Sequence, residues 1–209
     1  MTKLAQSALL TAILSASGPA VADEQSADAD FAKRMFVDNT GKLAHYACFA
    51  RHYDAAHMAQ HPLQKVSVMK LLITAAKTDP DDKVLEYSFR LGVNFRDRPG
   101  DFDSSGECGH APTVRNADND PPVATGIDFE CDVDCDGGGI GVNLTNNDGS
   151  VIVKLDRIRI WKGNTPDGDA AGALQGGADD KVFRLDRTGL NECANLASDR
   201  KELAAMRHK

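Results

Sequence analysis

The feature that most constrains this chain is the run from Leu85 to Arg96. Leu85, Tyr87, Phe89, Leu91, Val93 and Phe95 alternate with Glu86, Ser88, Arg90, Asn94 and Arg96. Successive side chains of a strand point to opposite faces, so this period of two describes a long strand with one buried and one wet face. A strand cannot stand alone, and the sequence supplies partners. Lys65 to Thr74 is a second β-rich run, joined to the first through Lys77-Thr78-Asp79-Pro80-Asp81-Asp82, which reads as a hairpin loop. Ile127, Phe129 and Cys131 alternate, as do Ile140, Val142 and Leu144. A turn at Asn146-Asn147-Asp148-Gly149, whose Asp-Gly pair suits positive φ, then leads into Val151 to Trp161. Val151, Val153 and Leu155 share one face of that run, whereas Ile158 and Ile160 have the opposite phase. A β-bulge at Asp156-Arg157 would return both sets to one core. Residues 162 to 180 read as loop, and Lys181 to Asp186 as a last short strand.

Helical signals lie at the two ends. Phe31 to Gln60 lacks β-branched runs, which predicts short helices over Gly41 to Arg51 and Asp54 to His61, the second ended by Pro62. Thr188 is placed to cap a terminal helix running through Leu196. Hairpin-connected strands with helices only at the ends predict a mainly β fold, an antiparallel β-sandwich or small barrel, rather than a βαβ arrangement. Asp81-Asp82-Lys83-Val84 and Asp179-Asp180-Lys181-Val182 repeat one tetrapeptide before a strand in each half.

The N-terminus reads as a secretory signal. Lys3 forms a basic start, Leu4 to Ser17 an apolar stretch too short to span a bilayer, and Ala20-Val21-Ala22 a small-x-small cleavage site. The expected division is a signal peptide at 1–22, an unstructured linker at 23–30 and one domain at 31–209. No later run is long and apolar enough for a membrane helix. With a net charge of −7 and scattered basic residues, the chain is unsuited to phosphate backbones, so nucleic acid is excluded as a partner.

Export makes disulfides the default use of the five cysteines. Cys108, Cys131, Cys135 and Cys193 are expected to form two bridges, leaving Cys48 spare. Two constellations could hold a metal. Asp132-Val133-Asp134-Cys135-Asp136-Gly137 has the alternating carboxylates that open a calcium loop, but the twelfth position is Asn143 rather than a bidentate glutamate, so it is no EF-hand. His45, His52, His57 and His61 are four of the six histidines. On a helix His57 and His61 stand at i and i+4, a spacing at which two imidazoles can share zinc or copper. Met58 follows His57 where a metalloprotease motif requires glutamate. Nucleophile elbow, Walker loop, dinucleotide fingerprint and C-x-x-C redox motif are all absent from the sequence.

Cys135-Asp136-Gly137-Gly138-Gly139, Asp179 to Arg187, and Tyr53-Asp54-Ala55-Ala56-His57 with His61-Pro62 resemble small exported bacterial proteins of unknown function, in scattered blocks over residues 48–193. The resemblance implies export to a bacterial envelope and carries no assigned site. The expectation is therefore a periplasmic or secreted non-enzymatic binding or structural module, its partner an envelope protein or small ligand. The alternative is a metal-binding protein or metal-dependent enzyme, with zinc or copper at the histidines or calcium at Asp132 to Asp136.

Overall fold

The computed structural model of the chain describes residues 20–36, 44–79, 85–110, 129–163 and 172–207. Residues 1–19 of the expected signal peptide, Gly41 to Leu43, the first copy of the tetrapeptide and Ile127 lie outside the described residues.

Among the described residues, nine strands form one antiparallel sheet: β1 (Ala44–His52), β2 (Val66–Ala76), β3 (Glu86–Phe95), β4 (Phe102–His110), β5 (Phe129–Val133), β6 (Gly138–Thr145), β7 (Ser150–Lys162), β8 (Gly172–Gln175) and β9 (Val182–Thr188). The order is β6-β5-β4-β3-β2-β1-β9-β7-β8, and a further β6–β7 ladder joins its ends, so eight strands close into a ring to which β8 is added. Closure removes the unpaired edges that an open sheet would expose. The mainly β, antiparallel, disulfide-bonded architecture expected from the alternation is what forms.

The alternating run is β3, with Tyr87, Phe89, Leu91 and Val93 turned into the core. In β7 the bulge occurs where the apolar phase slips. Ile140 pairs with Leu155 but Gly138 with Ile158, so β7 spends one extra residue at Asp156-Arg157, and Val151, Val153, Leu155, Ile158 and Ile160 are all buried. Gly138 sits opposite with φ 77°, and a Cβ there would lie 2.0 Å from the Arg157 carbonyl oxygen. Only glycine fits beside the bulge. The β6–β7 turn differs from the expected Asp-Gly pair. Asn146, Asn147 and Asp148 take the positive φ angles, 54°, 50° and 63°, in a four-residue loop, because Asn and Asp tolerate the left-handed region.

Four expectations are corrected. The segment read as a helix over Gly41 to Arg51 holds β1 instead, between β2 and β9. Its alternation is hidden because both faces are covered: Ala47 and Phe49 face the barrel core, while Cys48 packs outside with Leu72, Cys193, Leu196 and Met206. Residues 23–30, read as a linker, lie within helix α1 (Ala20–Met35). That helix is held by packing of its C-terminal end, where Phe31, Ala32, Met35 and Phe36 are buried. Phe31 stacks on Phe129 at 4.6 Å, and Asp28 accepts hydrogen bonds from the Tyr87 hydroxyl at 2.7 Å and pairs with His110 at 2.8 Å. Arg187 donates to the Arg34 and Met35 carbonyls at 3.1 and 2.8 Å, fastening α1 over one end of the barrel. The loop read over 162–180 contains β8, whose four residues are too few to show a period. Finally, Thr188 closes β9 rather than capping a helix; Gly189 precedes a 3-10 helix (Leu190–Leu196), with no side-chain cap. Helix α2 (Ala55–Gln60) does form where expected, with Asp54 accepting from the His57 amide at 2.8 Å.

The 3-10 helix and helix α3 (Arg200–Arg207) cover the outer face of β1, β2 and β3. Gly92 leaves room there for Leu196, whose Cδ2 would lie 2.8 Å from an added Cβ. Arg90 donates to the Leu196 carbonyl at 2.9 Å and pairs with Glu202 at 2.5 Å. Burial raises the Glu202 carboxyl, but hydrogen bonds from the Ser198 hydroxyl and amide and from Arg90 outweigh it, so Glu202 titrates below the ordinary carboxylate value. Its contribution is fully present above the unfolded pKa of about 4.3 and is lost as pH falls through the lower folded value. The protection of α3 amides relative to their intrinsic exchange rates is expected to fall on acidification across that window, and Glu202→Gln to remove this pH dependence.

The disulfides are Cys48–Cys193 and Cys108–Cys131, and Cys135 is the free cysteine, exposed at a turn. The expectation that Cys48 is spare is thus reversed. Cys131 lies directly opposite Cys108 in the β4–β5 register, within easy bridging range, whereas Cys135 stands beyond the end of β5 with φ 56°.

Candidate functional site

At the end of the barrel remote from α1 the ring is not fully laddered. β1 pairs with β9 only from Cys48 to Ala50, opposite Thr188 to Asp186. Beyond Ala50 the chain turns away through Tyr53, whose amide donates to Ser67 O at 2.9 Å, and enters α2. Beyond Asp186, the N-terminal half of β9 stays with β7. The Lys181 carbonyl accepts from Leu155 and the Arg187 amide donates to Gly149, so the odd residues of β9 bond to β7. By alternation the backbone groups of Val182 and Arg184 face the parted seam.

Two aspartates bridge this seam in place of a ladder. Asp180, fully buried, accepts from the amides of Lys65 at 2.8 Å and Val66 at 3.2 Å, at the start of β2. Asp179 accepts from the Leu63 amide at 3.1 Å. Between these stitches and β1 lies a cleft of ≈ 520 Å³, lined by Arg51, Tyr53, His57, His61, Gln64, Ala178, Asp179, Lys181, Val182 and Arg184. That volume is in the range of small-molecule sites.

Three rings form one wall. Tyr53 and His57 are 4.6 Å apart between centroids, and His57 and His61 4.3 Å with planes 25° apart. Burial pushes the Tyr53 hydroxyl up to about 12, against the opposing pull of Arg51, so it stays protonated at neutral pH. Hydrogen bonding fixes the His57 tautomer. Gln64, buried, donates its Nε2 to the Val66 carbonyl at 2.7 Å, which leaves its Oε1 as acceptor from His57 Nε2 at 3.0 Å. The neutral ring therefore carries its proton on Nε2. Arg96 donates to the Met58, His61 and Pro62 carbonyls at 3.0 to 3.2 Å, completing the C-terminal end of α2. The opposite wall is cationic: Arg51 and Arg184 both contact Asp186, at 3.0 Å each, and Lys181 stands beside them.

Of the residues singled out in the sequence, the structure brings His57 and His61 together in this cleft but not the others. His45 lies at the α1 end, its ring 6.1 Å from Phe36, and His52 pairs with Glu192 at 2.8 Å on the outer surface. Cys48 is bridged. His57 and His61 present stacked faces rather than converging nitrogen edges, and His57 Nε2 is engaged by Gln64. Asp132, Asp134 and Asp136 are exposed, and the turn carbonyls of Cys135 and Asp136 accept from Arg159 at 2.8 Å and Arg157 at 2.9 Å. Two guanidinium groups thus tie this turn to β7. Among the described residues, no three His, Cys, Asp or Glu side chains form a group able to hold a metal ion. Sequence reasoning passed over Arg51, Tyr53, Gln64, Lys181 and Arg184, which lie in two segments more than a hundred residues apart. The spacing of Arg184 and Val182 on one β9 edge was a signal, but reading β1 as a helix concealed its counterpart.

Comparison with known proteins returns no match to a family model, a curated protein or a solved structure.

Proposed function

We propose that the chain is an exported, non-enzymatic binding module of the bacterial periplasm or extracellular space, whose ligand occupies the cleft at the parted seam between β1 and β9. The observation that carries this reading is the seam. Eight strands are laddered around the barrel, and where one ladder stops, a cavity of small-molecule size is walled by aromatic and cationic side chains. A rigid barrel presenting a site at its mouth is a recurring use of such a fold. Two disulfides fit an oxidising compartment, and no helix among the described residues is long and apolar enough to cross a membrane. Cleavage after Ala22 would shorten α1 yet keep Asp28, Phe31, Met35 and Phe36, the residues that anchor it. The metal-binding alternative has less support, since Gln64 engages His57 Nε2 and cations face the two histidines.

Native mass spectrometry of protein exported to a bacterial periplasm and purified without chelator tests the reading. The expected spectrum shows a chain beginning at Asp23 with two disulfides and one alkylatable thiol, located at Cys135 by peptide mapping. A full-length chain with reduced cysteines would contradict export. A zinc, copper or calcium adduct surviving dialysis would favour the metal reading instead.

A further inference from the structure

We infer that the ligand is a small organic anion, whose carboxylate or phosphate group is taken by Arg51 and Arg184 and whose apolar or aromatic body lies against Tyr53, His57 and Val182. The inference rests on the cleft being the ligand site and names the chemistry that site selects.

The chain as a whole has a net charge of −7, yet its cleft is lined by Arg51, Lys181 and Arg184 against the single carboxylate of Asp179. Asp179 is already turned to the Leu63 amide, and its Oδ1 stands 4.0 Å from His61 Nδ1. Asp186 is shared: its Oδ2 accepts from Arg51 and its Oδ1 from Arg184, each at 3.0 Å. One carboxylate between two guanidiniums leaves one positive charge uncompensated. Each guanidinium keeps further N–H donors to spare, in the planar fork that takes a carboxylate or phosphate. Lys181 is 3.5 Å from Asp156, but with side chains 66% and 90% exposed the pair is screened by water and leaves the ammonium able to serve a ligand. The backbone amides of Val182 and Arg184 face the same seam.

The body of the ligand is indicated by the remaining wall. Tyr53, His57 and His61 form a continuous ladder of rings, Arg51 stands 5.9 Å from the Tyr53 centroid, and Val182 is 57% exposed, unusual for an aliphatic residue on a strand. An inorganic ion would leave this surface wet; an anion carrying a ring or short apolar chain would cover it.

The test is an amide chemical-shift titration of the mature protein with benzoate, phenyl phosphate and, as a neutral counterpart, benzyl alcohol, at constant ionic strength. At least one of the two anions is expected to shift residues 51–64 and 178–184 saturably, and the stronger of the two tells whether carboxylate or phosphate is preferred. The double variant Arg51→Gln, Arg184→Gln is expected to weaken that binding roughly tenfold or more, the value of a charge-assisted hydrogen bond. Asp186→Asn removes the competing carboxylate and is expected to tighten binding several-fold, a gain that a purely structural role for these residues would not produce. Equal shifts from benzyl alcohol, unaltered in both variants, would overturn the anion while leaving the cleft as the site. No saturable shift in the cleft from either anion would overturn the inference outright.

Discussion

Replacing Cys48 and Cys193 together by alanine is expected to lower the stability of the chain by about 5 kcal/mol, read as a fall in the urea midpoint. The bridge spans a sequence separation of 145 and ties β1, near the start of the barrel, to the 3-10 helix near its end. Without it the unfolded chain recovers the entropy of that long loop, which the chain-entropy model values slightly above that of a loop of about 100 residues, near 4.7 kcal/mol. Both cysteines are buried with Leu72, Leu196 and Met206, so the alanines also lose sulfur packing in the small cluster outside the barrel. Cys108–Cys131 closes a separation of only 23 between strands already paired, so the corresponding double alanine is expected to cost about 1.6 kcal/mol less. A Cys48, Cys193 variant as stable as the parent would show that the covering layer of 3-10 helix and α3 does not depend on the bridge.

Asp180→Ala is expected to cost about 3 kcal/mol and to open the seam. Its carboxylate has no exposed surface and serves two backbone donors, the amides of Lys65 and Val66. Alanine leaves both amides buried without an acceptor, at roughly 1–3 kcal/mol each. Because these bonds, with those of Asp179, are what join residues 177–181 to the start of β2, their loss should also raise amide exchange in residues 61–66 and 178–184 above that of the rest of the barrel. Asp180→Asn retains one acceptor oxygen and should cost less than alanine. Equal, small losses for both variants would mean that backbone pairing rather than Asp180 holds the seam.

The strands whose outward side chains are polar were legible in the sequence. β3, β6 and β7 declare themselves by alternation, and the slip of phase at Asp156-Arg157 was enough to locate the bulge. β1 was not legible, because Cys48 on its outer face meets Cys193 and Leu196, and a strand covered on both sides loses its polar phase. The mistaken helix had consequences. It separated Arg51 and Tyr53 from their place beside β9, whereas Cys48 was left out of the expected pairs because the other four cysteines cluster in the second half of the chain. His57 was correctly placed on α2, with His61 as its C-cap rather than inside it, but what they face was set by β9, far along the chain. The second copy of the repeated tetrapeptide supplies Asp179 and Asp180. Their role as a substitute for a missing ladder depends on where β1 and β9 part, which no local pattern encodes.

The most direct test of the account is an amide chemical-shift map of the protein titrated with the low-molecular-mass fraction of a bacterial envelope extract. A ligand site at the seam predicts saturable shifts concentrated in residues 51–64 and 178–184. Shifts gathered instead around α1, or around the Asp132 to Asp136 turn, would place the ligand elsewhere and contradict it.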